Sequence, residues 1–466
     1  MCSAQHSRGG FQGTCYDMSA VIHAPSAPAV QITLGVGDPA RLIAIDRGQP
    51  IDVATFHAHV RGVAALLPHG QHAVNLCENR YRFIVALCAV ALRGQVTLLP
   101  PSRAPAVVAE AMARHADSWA LGDEAIEQAP ARYLRLPETL PMADGPVPQV
   151  PQDALAVIGF TSGSTGQPKP YPKTWASFST SNQQNLRALA SLWAGQVPSV
   201  VATVPPQHMY GMELSVVMPL LSEVAIDGGR PFFPGDVAQA LAQVPAPRLL
   251  VTTPVHLRAL VDSGVQLPPL TAMVSATAPL SQELAQAAEA RFAAPVMEMF
   301  GSTETCIFAH RRTAIDTHWT PLPSVRVIPQ PDGSLVQAAH LPQPVPLADL
   351  MEVEPDGRFR VRGRQADMLE IAGKRASVGD LTRRLLAIPG VRDGVMVQLE
   401  QADDVGVRRI AALVVAPELD EAAILAALRQ GVDPVFLPRR IRFLGALPRA
   451  ETGKLPRAEV LKLLDA

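Results

Sequence analysis

The period of the hydrophobic positions changes along the chain, and each change marks a different kind of element. In ATFHAHVRGVAALL the apolar residues recur about every three to four positions, which predicts an amphipathic helix. Short runs such as SVVATVP and LLVTTP, rich in Val and Thr, suit strands buried in a sheet. Their alternation from about Leu42 to Leu260 predicts an α/β domain whose sheets are flanked by helices. No fixed repeat and no heptad seam appears, which argues against solenoids and coiled coils. The Pro-rich passage 321–350, PLPSVRVIPQPDGSLVQAAHLPQPVPLADL, resists helix and predicts a small β subdomain. Past GRFRVRGRQAD come a helix start near Gly379, strands at GVMVQL and IAALVV, and a helix at EAAILAALRQ. That order predicts a small α+β module joined near Gln365. Residues 1–35 are rich in Ser, Gly, Ala and Pro without a period and read as a flexible lead, with Met18 open as an alternative start. The expected architecture is α/β: a lead over 1–35, a large N-terminal domain over 36–364, and a small mobile α+β C-terminal domain over 365–466.

At roughly 150 residues per domain, 466 residues suggest about three structural units with ample chain for a core. Lys plus Arg number 40 against 42 Asp plus Glu, a formal charge of −2, which removes the broad basic field of a protein held by nucleic-acid phosphates. A local basic pocket stays open. The five cysteines, Cys2, Cys15, Cys77, Cys88 and Cys306, form no CxxC pair, so neither a disulfide framework nor a zinc knuckle is supported. A reducing compartment fits. Apolar stretches such as IVALCAVAL (Ile84 to Leu92) fall short of the roughly 18 residues that span a bilayer, and the N-terminus lacks the apolar region of a secretory signal. No membrane insertion and a cytoplasmic location are expected.

Chemistry concentrates first in FTSGSTGQPKPYPKTW, Phe160 to Trp175. After an apolar strand, ALAVIGF, hydroxyl residues and glycines form a loop whose backbone N–H groups can converge on an anion. The loop does not match GxxxxGK[ST], so it is not a Walker phosphate loop. An ordinary Ser/Gly surface loop is the alternative, weakened by the continuation into QPK. A second segment, MFGSTETCIF (Met299 to Phe308), offers Glu304 and neighbouring hydroxyls at a strand end, suited to a Mg²⁺-bound phosphate. One carboxylate cannot build a metal site alone, and a helix cap by Ser302 or Thr303 with Glu304 is the alternative. Two further segments are LADLMEVEPDGRFRVRGRQADMLEIAGKRAS (347–377) and LPRAETGKLPRAEV (447–460).

Together these motifs resemble the adenylate-forming superfamily of acyl-CoA synthetases, aryl-acid ligases, luciferases and nonribosomal-peptide adenylation domains. Its patterns TSG[ST]TGxPK, YGxTE, GD, GRxDD…GxR and PRxxxGKxxR find counterparts here in order across residues 161–457. The resemblance implies an AMP-forming acid–thiol ligase using ATP and Mg²⁺. It implies that Thr161, Ser162, Gly163, Ser164, Thr165, Gly166 and Lys169 form a loop over the β- and γ-phosphates. Thr303 would contact the α-phosphate and Glu304 the Mg²⁺. Asp349 would hold the ribose hydroxyls and Arg364 would bind near ribose and phosphate. The adenine would lie against Ser275, Ala276, Thr277 and Phe300. Lys454 would reach the reacting carboxylate and α-phosphate, where a mobile cation can neutralise the charges that the reaction brings together. Four departures stand out: Ala366 where the family has the first Asp of GRxDD, Pro170 for the Gly after PK, Ala348 for the Gly of GD, and Phe300 for Tyr. The hinge is therefore open between Gln365, Ala366 and Asp367.

TVPPQHMYGMELSVVMPLL (Thr203 to Leu221) resembles the region bordering the acyl pocket, and its HMYG is close to the HIYG of hydroxycinnamate-CoA ligases. The resemblance makes His208 catalytic and substrate-binding, with Tyr210 and Gly211 beside it. Tyr210 would give an aromatic wall with a polar tip for a phenolic ring. Core packing of His208 and Tyr210 is the alternative. The Asp that amino-acid-activating domains use here is absent, with Glu213 two residues past Gly211. The PKPYPKTW tail and the overall length are most similar to AMP-ligases of aryl-polyene and xanthomonadin-type pigment pathways. That similarity implies an aryl acid, such as a hydroxybenzoate or hydroxycinnamate, loaded onto an acyl carrier protein, with Gly373 beside the phosphopantetheine arm. An acyl-CoA ligase acting on aryl or fatty acids with free CoA is the second reading, and a nucleotide-binding scaffold without turnover is the third.

Overall fold

The computed structural model describes residues 30–161, 169–193, 195–364, 368–371, 374–402, 408–449 and 455–465. Two sheets organise the first three hundred residues. One has six strands in the order Lys169–Thr174, Leu155–Thr161, Val96–Leu99, His72–Asn75, Ser118–Gly122, Tyr133–Arg135, with only the first pair antiparallel. The other has nine, and its parallel middle includes Ser199–Ala202, Arg248–Thr252, Ala272–Ser275 and Val296–Ser302. Parallel strands covered on both faces read as unbroken apolar runs, which is why SVVA and RLLVT carry no alternation.

The helix Arg80–Leu92 lies between the two sheets, packed on His72–Asn75 and Val96–Leu99 of one and on Ala225–Asp227 of the other. Asn79 starts it by accepting from Arg82 N, and every residue from Arg80 to Val90 is buried. Its all-round apolar surface, IVALCAVAL, is what a helix with core on two sides requires. Among the described residues no helix is long and apolar enough to cross a membrane. The helix Val53–Leu66 forms as its period predicts, capped by Asp52, whose carboxylate accepts from Thr55 N.

One expectation needs adjustment. Gln31–Thr33 is a strand paired with Gln149–Pro151, and Leu34 is fully buried, so the supposed lead already joins the fold at its end. Burying Ile32 and Leu34 against this neighbour outweighs the lack of local period. The strand Lys169–Thr174 contains Pro170 and Pro172, yet it keeps its ladder because it is the sheet edge, where a missing N–H on the outer side costs nothing.

The Pro-rich passage forms the expected short strands: a three-stranded sheet of Val325–Gln330, Gly333–Ala338 and Val345–Leu347, then the ribbon Asp349–Val353 with Phe359–Arg364. Beyond it, helices Val378–Leu386, Glu421–Arg429 and Arg457–Asp465 pack on the three-stranded sheet Asp393–Ala402, Arg408–Val415, Arg440–Phe443. Their apolar clusters draw only on residues from Leu369 onward. Gly363 has φ +129°, and a Cβ there would land on Ser377 Oγ, so only glycine lets the ribbon and this module approach so closely. The expected hinge residues Gln365, Ala366 and Asp367 lie outside the described residues.

Candidate active site

Two hairpins built from the first two motifs meet at one glycine. In the first, Thr161 on Leu155–Thr161 faces Lys169 on Lys169–Thr174 across the ladder, which places both at the base of the Ser/Gly loop. Ser162, Gly163, Ser164, Thr165 and Gly166 lie outside the described residues. In the second, Val296–Ser302 turns back as Cys306–Arg311, and the turn carries Thr303 and Glu304. Ser302 N donates to Thr305 Oγ1 at 3.1 Å and Thr305 N to Ser302 Oγ at 3.2 Å, so these hydroxyls lock the turn. Glu304 therefore sits in a hairpin turn and not at a helix start. A Cβ on Gly159 would lie 2.8 Å from Thr303 Cγ2 and 3.3 Å from Met209 Cε. The strand leading to the Ser/Gly loop, the Thr303–Glu304 turn and the HMYG segment thus touch at Gly159.

Beside them, Ser275, Ala276 and Thr277 leave the C-terminal end of Ala272–Ser275, the usual side for ligands in a parallel sheet. Thr277 has φ +80°, a conformation that a β-branched residue adopts only when its surroundings force it. Ser275 Oγ and Thr277 Oγ1 are buried without a hydrogen-bond partner among the described residues, so two polar atoms await a polar ligand. Glu298 pins the far end of this loop by accepting from Leu280 N at 3.1 Å, and is itself held by Arg311 Nε at 2.7 Å and Thr313 Oγ1 at 2.6 Å. Phe300 packs against Phe308 and Trp319, with centroids 4.9 and 5.0 Å away, and is half-buried. Phe359, 6.3 Å from Phe300, extends the cluster to the ribbon on which Asp349 and Arg364 are direct cross-strand partners.

Among the described residues no group of three His, Cys, Asp or Glu could hold a metal. Glu304 alone suits Mg²⁺ that arrives with phosphate oxygens, since Mg²⁺ needs only one or two protein carboxylates when phosphates and water supply the rest.

The HMYG segment forms the helix Met209–Met212, which runs on through a π-helical stretch, Glu213–Val217, into Met218–Leu221. His208 stands at its N-cap. Tyr210 is 5% exposed and its hydroxyl donates to Val274 O at 2.8 Å; burial pushes the phenol far above its ordinary value. The polar tip expected to meet a phenolic substrate is thus already committed to the sheet. A Cβ on Gly211 would collide with Pro205 O, so this glycine first serves close packing of the helix. Gly373 and Lys454 lie outside the described residues.

Sequence reasoning missed the buried charges behind the site. Arg80 is completely buried, donating to Ala202 O at 2.8 Å, Val204 O at 2.7 Å and Ser215 Oγ at 2.5 Å; burial lowers its pKa to about 9. It fastens the end of Ser199–Ala202 to the π-helical stretch. Glu213 accepts from Ile307 N at 2.8 Å, Asn185 Nδ2 at 3.2 Å and Ser181 Oγ. Lys173 Nζ donates to Glu304 O at 2.6 Å, and His340 Nε2 lies 2.7 Å from Thr305 O.

Residues 36–344 match the family model described as AMP-binding enzyme. A 4-coumarate–CoA ligase from Rhodobacter capsulatus is 30% identical over 304 residues, covering 63% of this chain and 73% of the relative. A 3-hydroxybenzoate–CoA/4-hydroxybenzoate–CoA ligase from Thauera aromatica is 32% identical over 125 residues, 25% of this chain and 23% of its own. The fold is shared with o-succinylbenzoate CoA synthetase from Bacillus subtilis, solved with its acyl-adenylate: TM-score 0.77, 18% identity, 91% of this chain and 95% of that one. The chain accordingly belongs to the AMP-binding enzyme family, as an adenylate-forming acid–thiol ligase that activates a carboxylic acid to its acyl-adenylate.

Proposed function

We propose that the enzyme activates an aryl acid, a hydroxybenzoate or hydroxycinnamate, and passes the acyl group to the phosphopantetheine thiol of an acyl carrier protein. The observation that carries the reading is the meeting at Gly159 of the phosphate-loop strand, the Thr303–Glu304 turn and the Met209 helix. Acid, α-phosphate and metal-bound phosphates must come within bonding reach in one place, and this contact joins the segments assigned to each. The orphaned hydroxyls of Ser275 and Thr277 and the flat, half-buried ring of Phe300 suit a nucleoside. The 4-coumarate and hydroxybenzoate ligases among the relatives support an aryl acid.

In this reading Thr303 donates to the α-phosphate while Glu304 and phosphate oxygens hold Mg²⁺, which supplies charge neutralisation at the phosphates. Lys169 and the Ser/Gly loop orient the leaving pyrophosphate, Asp349 and Arg364 hold the ribose, and Lys454 neutralises the developing charge at the attacked phosphorus. The acid's carboxylate oxygen forms the new bond to the α-phosphorus as the bond to the β-phosphate oxygen breaks. The thiolate then attacks the acyl carbon, releasing AMP, with His208 and Gly373 lining its approach. The buried free thiols of Cys77, Cys88 and Cys306 suit a reducing compartment, the cytoplasm.

ATP–pyrophosphate exchange with a panel of acids, followed by thioester formation with holo carrier protein or CoA at equal concentration, tests this. Benzoates or cinnamates should outrun hexadecanoate and α-amino acids, and the carrier protein should outcompete CoA. A long-chain preference refutes the aryl acid, and a strong preference for CoA refutes the carrier.

A further inference from the structure

The Thr303–Glu304 turn rests on a buried polar platform that none of the functional motifs requires. Three backbone groups between Glu304 and Ile307 are each held by a buried side chain from a different part of the chain. Lys173 Nζ, on the edge strand, donates to Glu304 O at 2.6 Å. His340 Nε2, from the turn after Gly333–Ala338, faces Thr305 O at 2.7 Å. Glu213 Oε2, from the π-helical stretch, accepts from Ile307 N at 2.8 Å. Lys173 is 5% exposed, Glu213 2% and His340 3%.

Burying an ammonium and a carboxylate is expensive, and apolar residues could fill the same volume at less cost. The carbonyl of Glu304, a half-buried residue, could find a partner in water instead. What apolar residues and water would not do is fix the height and tilt of the turn from beneath. The ladder of Lys169–Thr174 shifts register between Lys173 and Thr174, next to the buried lysine. His340 is braced in turn by Ser177, whose Oγ donates to the His340 carbonyl at 2.7 Å.

We propose that Lys173, backed by Glu213 and His340, is a positioning residue that sets the place of the Glu304 carboxylate, and thereby the affinity for the metal brought by ATP. The inference rests on the reading of Glu304 as the metal-bound carboxylate. It assigns to Lys173 no contact with substrate or metal. Losing a group that orients a metal ligand typically costs about 10- to 100-fold in metal affinity.

The test is a Mg²⁺ titration of pyrophosphate exchange, paired with melting temperatures without ligand and with Mg·ATP. Lys173→Met removes the donor but leaves Glu213 without its cationic neighbour, so it will also lower the melting temperature. Lys173→Met with Glu213→Gln removes both charges while the Gln carbonyl still accepts from Ile307 N. This double variant should regain most of the ligand-free melting temperature, yet need about tenfold or more Mg²⁺ for half-maximal rate. Its stabilisation by Mg·ATP should shrink, with the KM for the acid unchanged. A double variant with wild-type Mg²⁺ dependence overturns the proposal, as does a change confined to the acid KM. Glu304→Gln is the control. If it raises the Mg²⁺ requirement and the double variant does not, only the role of Lys173 falls. If Glu304→Gln leaves the requirement untouched, the assignment of Glu304 fails and the inference falls with it.

Discussion

Gly159 offers the sharpest test of how the site is put together. Its backbone is ordinary strand, paired with Leu99 on one side and Tyr171 on the other, so alanine meets no conformational penalty there. The obstacle is space. A Cβ would stand 2.8 Å from Thr303 Cγ2, where carbon atoms prefer about 3.5–4.0 Å, so roughly 1 Å of movement is required. Met209 Cε at 3.3 Å narrows the escape on the other side. Overpacking of this kind costs about 1–3 kcal/mol, a modest loss for the fold. The larger effect falls on catalysis, because the atom displaced belongs to the turn that bears Thr303 and Glu304, and a 1 Å misplacement can cost about 10²-fold in rate. Gly159→Ala should therefore reduce the kcat of pyrophosphate exchange by about two orders of magnitude while the protein stays folded by circular dichroism. Thr303→Ser deletes Cγ2 and keeps the hydroxyl, so Gly159→Ala with Thr303→Ser should return to the rate of Thr303→Ser alone. Wild-type exchange by Gly159→Ala, or a double variant no faster than Gly159→Ala, would falsify the claim that the hairpins are seated on each other at this point.

Tyr210→Phe leaves Val274 O buried without its donor and should cost about 1–3 kcal/mol in urea unfolding. The ratio of exchange rates for hydroxylated and unsubstituted benzoates should stay as in the wild type; a selective loss of the hydroxylated acids would return the hydroxyl to substrate recognition. His340 bears on pH. Burial and then the charge of Lys173 lower its pKa to about 4, although its bond to Thr305 pulls the other way. An unfolded histidine titrates near 6.5, so between about pH 6.5 and 4 the unfolded chain takes up a proton that the fold refuses. The contribution is intact above about pH 6.5 and declines on acidification, by on the order of 3 kcal/mol at most. His340→Gln should flatten the fall of melting temperature across that window, and an unchanged slope would contradict the neutral buried imidazole.

Local chemistry made much of this molecule readable beforehand. The capped, periodic Val53–Leu66 helix, the Pro-rich strands after residue 320 and the order of elements after Gly379 follow from signals that lie within a few residues of one another. The motif residues Thr303, Glu304, Ser275 and Thr277 stand out in the sequence for the same reason, and the structure places them in a hairpin turn and at a strand end. Lys173, Glu213 and His340 were not, because a charged residue in a local pattern reads as surface, and only tertiary contacts across some 130 residues, as from Lys173 to Glu304, bury it. Arg80 was hidden likewise, its partners lying 122 to 135 residues away. IVALCAVAL shows a subtler failure. Its length excluded a membrane span, but nothing local says that a second sheet will cover its other face. The committed hydroxyl of Tyr210 belongs here too, since its acceptor sits on a strand 64 residues later.

The prolines of the edge strand have one more effect, on how copies of the chain behave toward each other. A strand at the rim of a sheet is a template on which another chain can add itself, and such addition begins aggregation. Pro170 and Pro172 alternate with Tyr171, whose N–H can serve the inner ladder, so the outer rim of Lys169–Thr174 shows no donor at either proline position. A newcomer strand would find carbonyls there and no N–H groups opposite its own carbonyls. Cys306–Arg311, by contrast, has Thr320–Pro321 laid along it as a cover. This rim is thus kept from capture by chemistry built into its own backbone.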